Sequence, residues 1–144
     1  MKIPHILSWV LAIAFVMLAA PVQADIFPDS KLITHDKEKA GGGKGILYGR
    51  YAFERNTPPE ANPVREIGWL KLKPGDAIGF HKHDVNEDVY IIISGKGVFT
   101  DNDGKKYDVG PGDVTIAKIG QAHALENTGK EDLVFISVIA GKTK

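Results

Sequence analysis

The residues best suited to chemistry in this sequence are His81-Lys82-His83. In a strand, residues two apart point to one face, so both imidazoles project the same way. Two neutral imidazoles side by side are a ready pair of nitrogen ligands for a divalent transition metal. An acidic group follows at once: Asp84 to Glu87 make a four-residue connection before a strand that opens at Asp88. If the flanking segments form a hairpin, His83 lies opposite Asp88 and His81 opposite Tyr90, and opposed residues share a face. Asp88 is then placed to complete a two-histidine, one-carboxylate set. Glu87 would point the other way unless a bulge intervenes, which makes it the second choice. A third histidine, His123, lies far downstream. Spacing alone does not bring it to the other two, although a closed barrel could.

The elements that must position these groups read as short strands. Ile46 to Glu54, Val64 to Lys73, Ile78 to His83, Asp88 to Ser94, Val98 to Thr100, Lys106 to Val109, Val114 to Ala117, Ala122 to Glu126 and Leu133 to Ala140 are rich in strand-forming residues. Turn signals such as Lys73-Pro74-Gly75-Asp76 and Gly110-Pro111-Gly112-Asp113 separate them. No stretch has a sustained helical period, so the fold class is all-β, a sandwich or a barrel. Val89 to Ile93 is apolar on both faces and belongs inside a sheet, with one face to a lumen and the other to a second sheet or a partner subunit. In the Val64 to Lys73 strand, Ile67 and Trp69 mark an alternating apolar face. Trp69 and Phe80 are expected in the core or at a barrel mouth, Tyr90 in the lumen wall and Glu87 at the surface. Gln121 reads as structural, and His35 is given no role.

Two glycine-containing stretches imitate ligand loops. Gly41 to Gly45 lacks the Ser or Thr and the spacing of a phosphate loop; it reads as a flexible lead-in to the first strand. Asp101-Asn102-Asp103-Gly104 does not continue with calcium-loop spacing and reads as a hairpin turn.

Residues 1–24 read as a secretory signal peptide. Lys2 supplies the positive start, and an apolar run from Ile6 to Ala20 ends at Pro21. Val22-Gln23-Ala24 places cleavage before Asp25. The run is shorter than the roughly 20 residues that span a bilayer. The expectation is a periplasmic or secreted protein, free of the membrane after cleavage, with an arm at 25–45 and one domain at 46–144. Lys plus Arg is 18 and Asp plus Glu is 18. That balance leaves no electrostatic footprint for nucleic acid. Cysteine is absent, which excludes disulfides, thiolate metal sites and cysteine nucleophiles.

Two motifs resemble those of the cupin family. The first runs Gly, five residues, His-x-His, a short gap, an acid, six residues, Gly; here it is Gly75, His81, His83, Asp88 and Gly95. The second runs Gly, five residues, Pro-x-Gly, two residues, His, three residues, Asn; here it is Gly112, Lys118-Ile119-Gly120, His123 and Asn127. The core motifs thus fall at 75–95 and 112–127. Lys118 stands where the family has Pro, and Asp88 where it has Glu. The resemblance implies a small antiparallel jelly-roll-like β-barrel. In its lumen, His81, His83, His123 and an acid would hold a divalent transition metal (Mn, Fe, Co, Ni, Cu or Zn), with positions open to a small-molecule ligand or substrate. It also implies a homodimer. The function expected is action on, or binding of, a small organic molecule at that metal; the alternative is a non-catalytic module that captures a small ligand or a metal.

Overall fold

The computed structural model describes residues 24–56 and 62–141. The signal-peptide reading falls almost wholly on residues 1–23, outside the described residues. Among the described residues, eleven strands follow one another: β1 (Ile33–Thr34), β2 (Lys37–Glu38), β3 (Ile46–Phe53), β4 (Val64–Leu72), β5 (Ala77–Lys82), β6 (Asn86–Ser94), β7 (Gly97–Thr100), β8 (Lys106–Val109), β9 (Val114–Ala117), β10 (Ala122–Asn127) and β11 (Leu133–Gly141). Their alternating burial is the period-two pattern of strands with one face on a core. A seven-stranded sheet has the order β1-β3-β4-β11-β6-β9, with β2 also on β3, and a four-stranded sheet has the order β5-β10-β7-β8. Every named pairing is antiparallel. The fold is therefore all-β, as expected.

The two inner faces enclose one core. Leu47, Leu70, Leu72, Ile92, Leu133 and Phe135 from the larger sheet meet Ile78, Phe99, Val109 and Leu125 from the smaller one. This apolar plug fills one end of the lumen. Towards the other end the inward residues turn polar: Glu66, Asp88 and Ser137, with Tyr90 and Tyr51 beside them, are all buried.

Three expectations are corrected here. The β4 strand turns the opposite face inward: Glu66, Gly68, Leu70 and Leu72 are buried, while Trp69 is 47% exposed. Phe80 is likewise outside the core, 54% exposed. The Gly41 to Gly45 stretch is docked rather than flexible. Lys44 exchanges both backbone hydrogen bonds with Ala77, at 2.9 and 3.0 Å. A Cβ on Gly79 would lie 2.4 Å from the Gly41 carbonyl oxygen, so only glycine permits this approach.

Candidate metal centre

The histidines meet because β5 pairs with β10. His81 lies directly opposite His123 in that ladder, so the two imidazoles share a face. His83 is just beyond the strand end, where its amide donates to the Gln121 carbonyl at 2.9 Å and its carbonyl accepts from the Gly120 amide at 2.6 Å. The turn before β10 thereby pins His83 over the same face. The Gln121 side chain closes that turn by accepting from the Lys118 amide at 2.9 Å; a proline at 118 would lack that donor. Gln121 therefore has a structural part in this turn.

The hairpin expected between the His81/His83 strand and the Asp88 strand does not exist. β6 pairs with β11 and β9, and Asp88 faces Ile139 and Ala117 in register. The acid arrives instead from the opposite sheet, across the lumen. Asp88 still shares a site with the histidines because every second β6 residue points inward: Asn86, Asp88, Tyr90 and Ile92 are buried. Glu87 falls on the outward phase of the same strand and is only partly buried.

His81, His83, Asp88 and His123 each offer one ligand atom, and these four atoms lie within 4.8 Å of one another. The Nε2 atom of His83 is 3.1 Å from those of His81 and His123. Asp88 Oδ2 is 3.6 Å from the Nε2 atoms of His83 and His123. Two nitrogens bound at about 2.1 Å and at right angles around one ion sit about 3.0 Å apart. The donor spacing therefore fits a single transition-metal ion.

The surrounding hydrogen bonds point the right atoms inward. His81 Nδ1 lies 2.9 Å from the Gly79 carbonyl oxygen, which only accepts, so this nitrogen carries the proton. His83 Nδ1 lies 2.8 Å from Asn86 Oδ1 in the same way. Both assignments leave Nε2 as the lone-pair atom facing the centre, the outer-shell pattern of metal-binding histidines. Asp88 Oδ1 accepts from Ser137 Oγ at 3.0 Å. The Tyr90 ring stacks on His123, with centroids 4.9 Å apart, and belongs to the lumen wall as expected. Burial, then the His123 and His83 rings, hold the His81 imidazole below its ordinary value, against the opposing pull of the Gly79 hydrogen bond. Its neutral form is the one that ligates. Burial, then Asp88, push the Tyr90 phenol well up, so it stays a neutral donor. Asn127, the last motif residue, is structural: it donates to the Leu72 and Glu131 carbonyls, both at 2.8 Å.

A cavity of about 470 Å³ opens on His81 and Asp88. Its wall includes residues that the sequence reading passed over. Glu66, Tyr51 and Arg55 come from β3, β4 and the segment between them, and His35 and Lys37 come from the arm. His35 Nδ1 lies 2.5 Å from Glu54 Oε1. The missed signal was the phase of Leu70 and Leu72, which places Glu66 on their face.

These features define a small two-sheet β-barrel whose lumen can hold one metal ion beside a ligand-sized cavity. The chain belongs to the cupin family: the cupin domain profile matches residues 68–139. An oxalate-binding protein of Thermotoga maritima is 39% identical over 98 residues, 68% of this chain and 78% of that protein. A crystal structure of a predicted oxalate decarboxylase from the same organism superposes with a TM-score of 0.73 at 33% identity, covering 82% of this chain and 100% of that one. A double-stranded β-helix protein of Klebsiella pneumoniae, at 24% identity and a TM-score of 0.61, covers 83% of this chain and 91% of its own and shares the fold.

Proposed function

We propose that this cupin holds one divalent transition-metal ion on His81, His83, His123 and Asp88 and binds a small organic oxyanion in the adjoining cavity. The observation that carries the reading is the convergence of four ligand atoms within 4.8 Å from two sheets. Three neutral imidazoles and one carboxylate suit Mn, Fe, Co, Ni, Cu or Zn. When bound, such an ion supplies a Lewis-acid centre for an oxygen ligand. The protein's own part is to aim the Nε2 atoms, exclude bulk water with the apolar plug and present charge at the wall.

That charge favours an anion once the site is loaded. Among the described lining residues, Lys37 and Arg55 face three carboxylates, Glu54, Glu66 and Asp88. A dication turns this small deficit into a surplus of positive charge. The naming of the Thermotoga relative for oxalate points to the same ligand class. Calorimetric titration of the metal-loaded and metal-stripped protein with oxalate tests this reading. Binding only to the loaded form supports it; equal binding to both forms contradicts it. Mass spectrometry of the recovered ligand separates capture from catalysis, since unchanged ligand means binding and a new product means an enzyme.

Two further proposals accompany this one. The protein is exported after cleavage before Asp25, which N-terminal sequencing of the protein recovered outside the cytoplasm tests. It forms a homodimer through the outer face of the larger sheet. There two cross-strand rows are apolar, Trp69-Ile136-Ile91-Val114 and Ile67-Val138-Val89-Ile116. The exposed Trp69, Val114 and Ile116 lie at their ends. A contiguous apolar patch of this kind marks an interaction surface.

A further inference from the structure

Glu66 is 4% exposed, and among the described residues its polar contacts are long. Among the described residues its carboxylate has a Lys37 Nζ contact at 3.8 Å and an Arg55 amide at 3.4 Å. Both exceed the usual 2.7–3.2 Å of a good N–H···O bond. A carboxylate has about four lone-pair sites, so these two long contacts leave Glu66 able to accept from a donor that reaches it from the cavity.

The register shows where such a donor must sit. Asp88, Ile139 and Glu66 form one inward row across β6, β11 and β4. The two carboxylates therefore flank Ile139 with backbones about two strand spacings, roughly 10 Å, apart. Both line the same cavity. The next inward row is Tyr90, Ser137, Gly68 and Tyr51, small at its centre. A Cβ on Gly68 would lie 2.7 Å from Tyr51 Cδ1, so the missing side chain is what lets the ring lie against the sheet. The space between the metal centre and Glu66 thus suits a molecule of a few heavy atoms with two polar ends.

We propose that Glu66 is the specificity-determining acceptor of this cavity. It takes a hydrogen bond from the hydroxyl arm of a hydroxycarboxylate whose oxyanion end lies at the His81/His83/His123/Asp88 centre. The inference rests on the metal-dependent reading above and goes further, because it names the ligand class. Fully ionised oxalate has no proton to offer Glu66 and meets it as a like charge; a hydroxycarboxylate satisfies it.

The test uses the full chain loaded with Mn²⁺, its metal content measured first, and glycolate and oxalate as probes in calorimetric titrations. Glu66→Gln keeps the shape and removes the charge. The expected result is unchanged Mn²⁺ content, roughly tenfold or more weaker glycolate binding and equal or tighter oxalate binding. Glu66→Asp, which keeps the charge but shortens the reach, should weaken glycolate without favouring oxalate. An unchanged ratio of the two affinities in Glu66→Gln overturns the proposal, and so does a parallel loss of both, which would mark Glu66 as merely a partner of Lys37. Wild-type protein that holds Mn²⁺ and binds neither probe also overturns it, with the metal centre intact. Failure of the wild type to take up any metal overturns the underlying reading itself.

Discussion

Asn86→Ala probes the metal centre without touching a ligand. Asn86 and His83 are both buried, and the 2.8 Å contact from His83 Nδ1 to Asn86 Oδ1 fixes which nitrogen faces inward. In a metal-bound ring Nε2 is engaged, so Nδ1 must keep its proton and needs an acceptor. Removing Asn86 Oδ1 leaves that N–H buried and unpaired, at a cost of about 1–3 kcal/mol. Outer-shell losses of this type weaken metal binding about 10–100-fold, or about 1.4–2.8 kcal/mol. The metal-free ring can escape part of the penalty by shifting its proton, so the cost falls mainly on the loaded state. Asn86→Asp restores an acceptor and should hold the ion at least as well as the wild type. The assay is competition with a chelating dye at fixed pH, with circular dichroism to confirm the fold. An Asn86→Ala affinity within twofold of wild type would refute the view that this hydrogen bond orients His83 for a metal.

Three other outcomes follow from the same packing and charges. Among the described residues the buried Tyr51 hydroxyl has no hydrogen-bond partner, so Tyr51→Phe should raise the unfolding free energy of the ligand-free protein by about 1 kcal/mol, seen as a melting temperature a few degrees higher. Because burial and the neighbouring rings hold the His81 imidazole below its ordinary value, the unfolded chain protonates first as the pH falls through about 6.5. Stability and metal retention present above that pH should decline together below it, in melts and metal-release titrations. Ile136→Glu places a charge in the middle of the outer apolar rows; if the proposed homodimer uses this face, the variant should be a monomer in light scattering where the wild type is a dimer, with metal content unchanged.

Most of the strand positions were legible because turn residues bracket them and β-branched residues fill them. The strands from Lys106 to Val109 and Val114 to Ala117 match the structure end for end. Pairing was less legible. His81 and His83 share a face in any strand, but which strand lies beside them depends on the whole topology. Sequence proximity favours a local hairpin to Asp88, yet the fold sends β5 to β10 and brings Asp88 from the facing sheet. The gathering of His123 with the pair was legible only through the cupin resemblance, since no local signal spans that separation. In β4 the apolar Ile67 and Trp69 outweighed Leu70 and Leu72 in the reading. The outer face of the larger sheet is itself apolar, so hydrophobicity did not distinguish inside from outside, and Glu66 went unnoticed. The arm's part in the cavity was hidden because Lys37 and His35 carry no pattern, and the close glycine contacts that dock the arm are a tertiary feature.

The most direct test is elemental analysis of the purified full chain beside His83→Ala and His123→Ala. Both substitutions remove Nε2 atoms that lie 3.1 Å apart at the centre of the cluster. Wild-type protein should carry one transition-metal ion per chain, and each variant should lose it while keeping its β-sheet spectrum. Equal metal content in all three proteins, or no metal taken up by folded wild type in excess Mn²⁺ or Zn²⁺, would contradict a metal centre at these four residues.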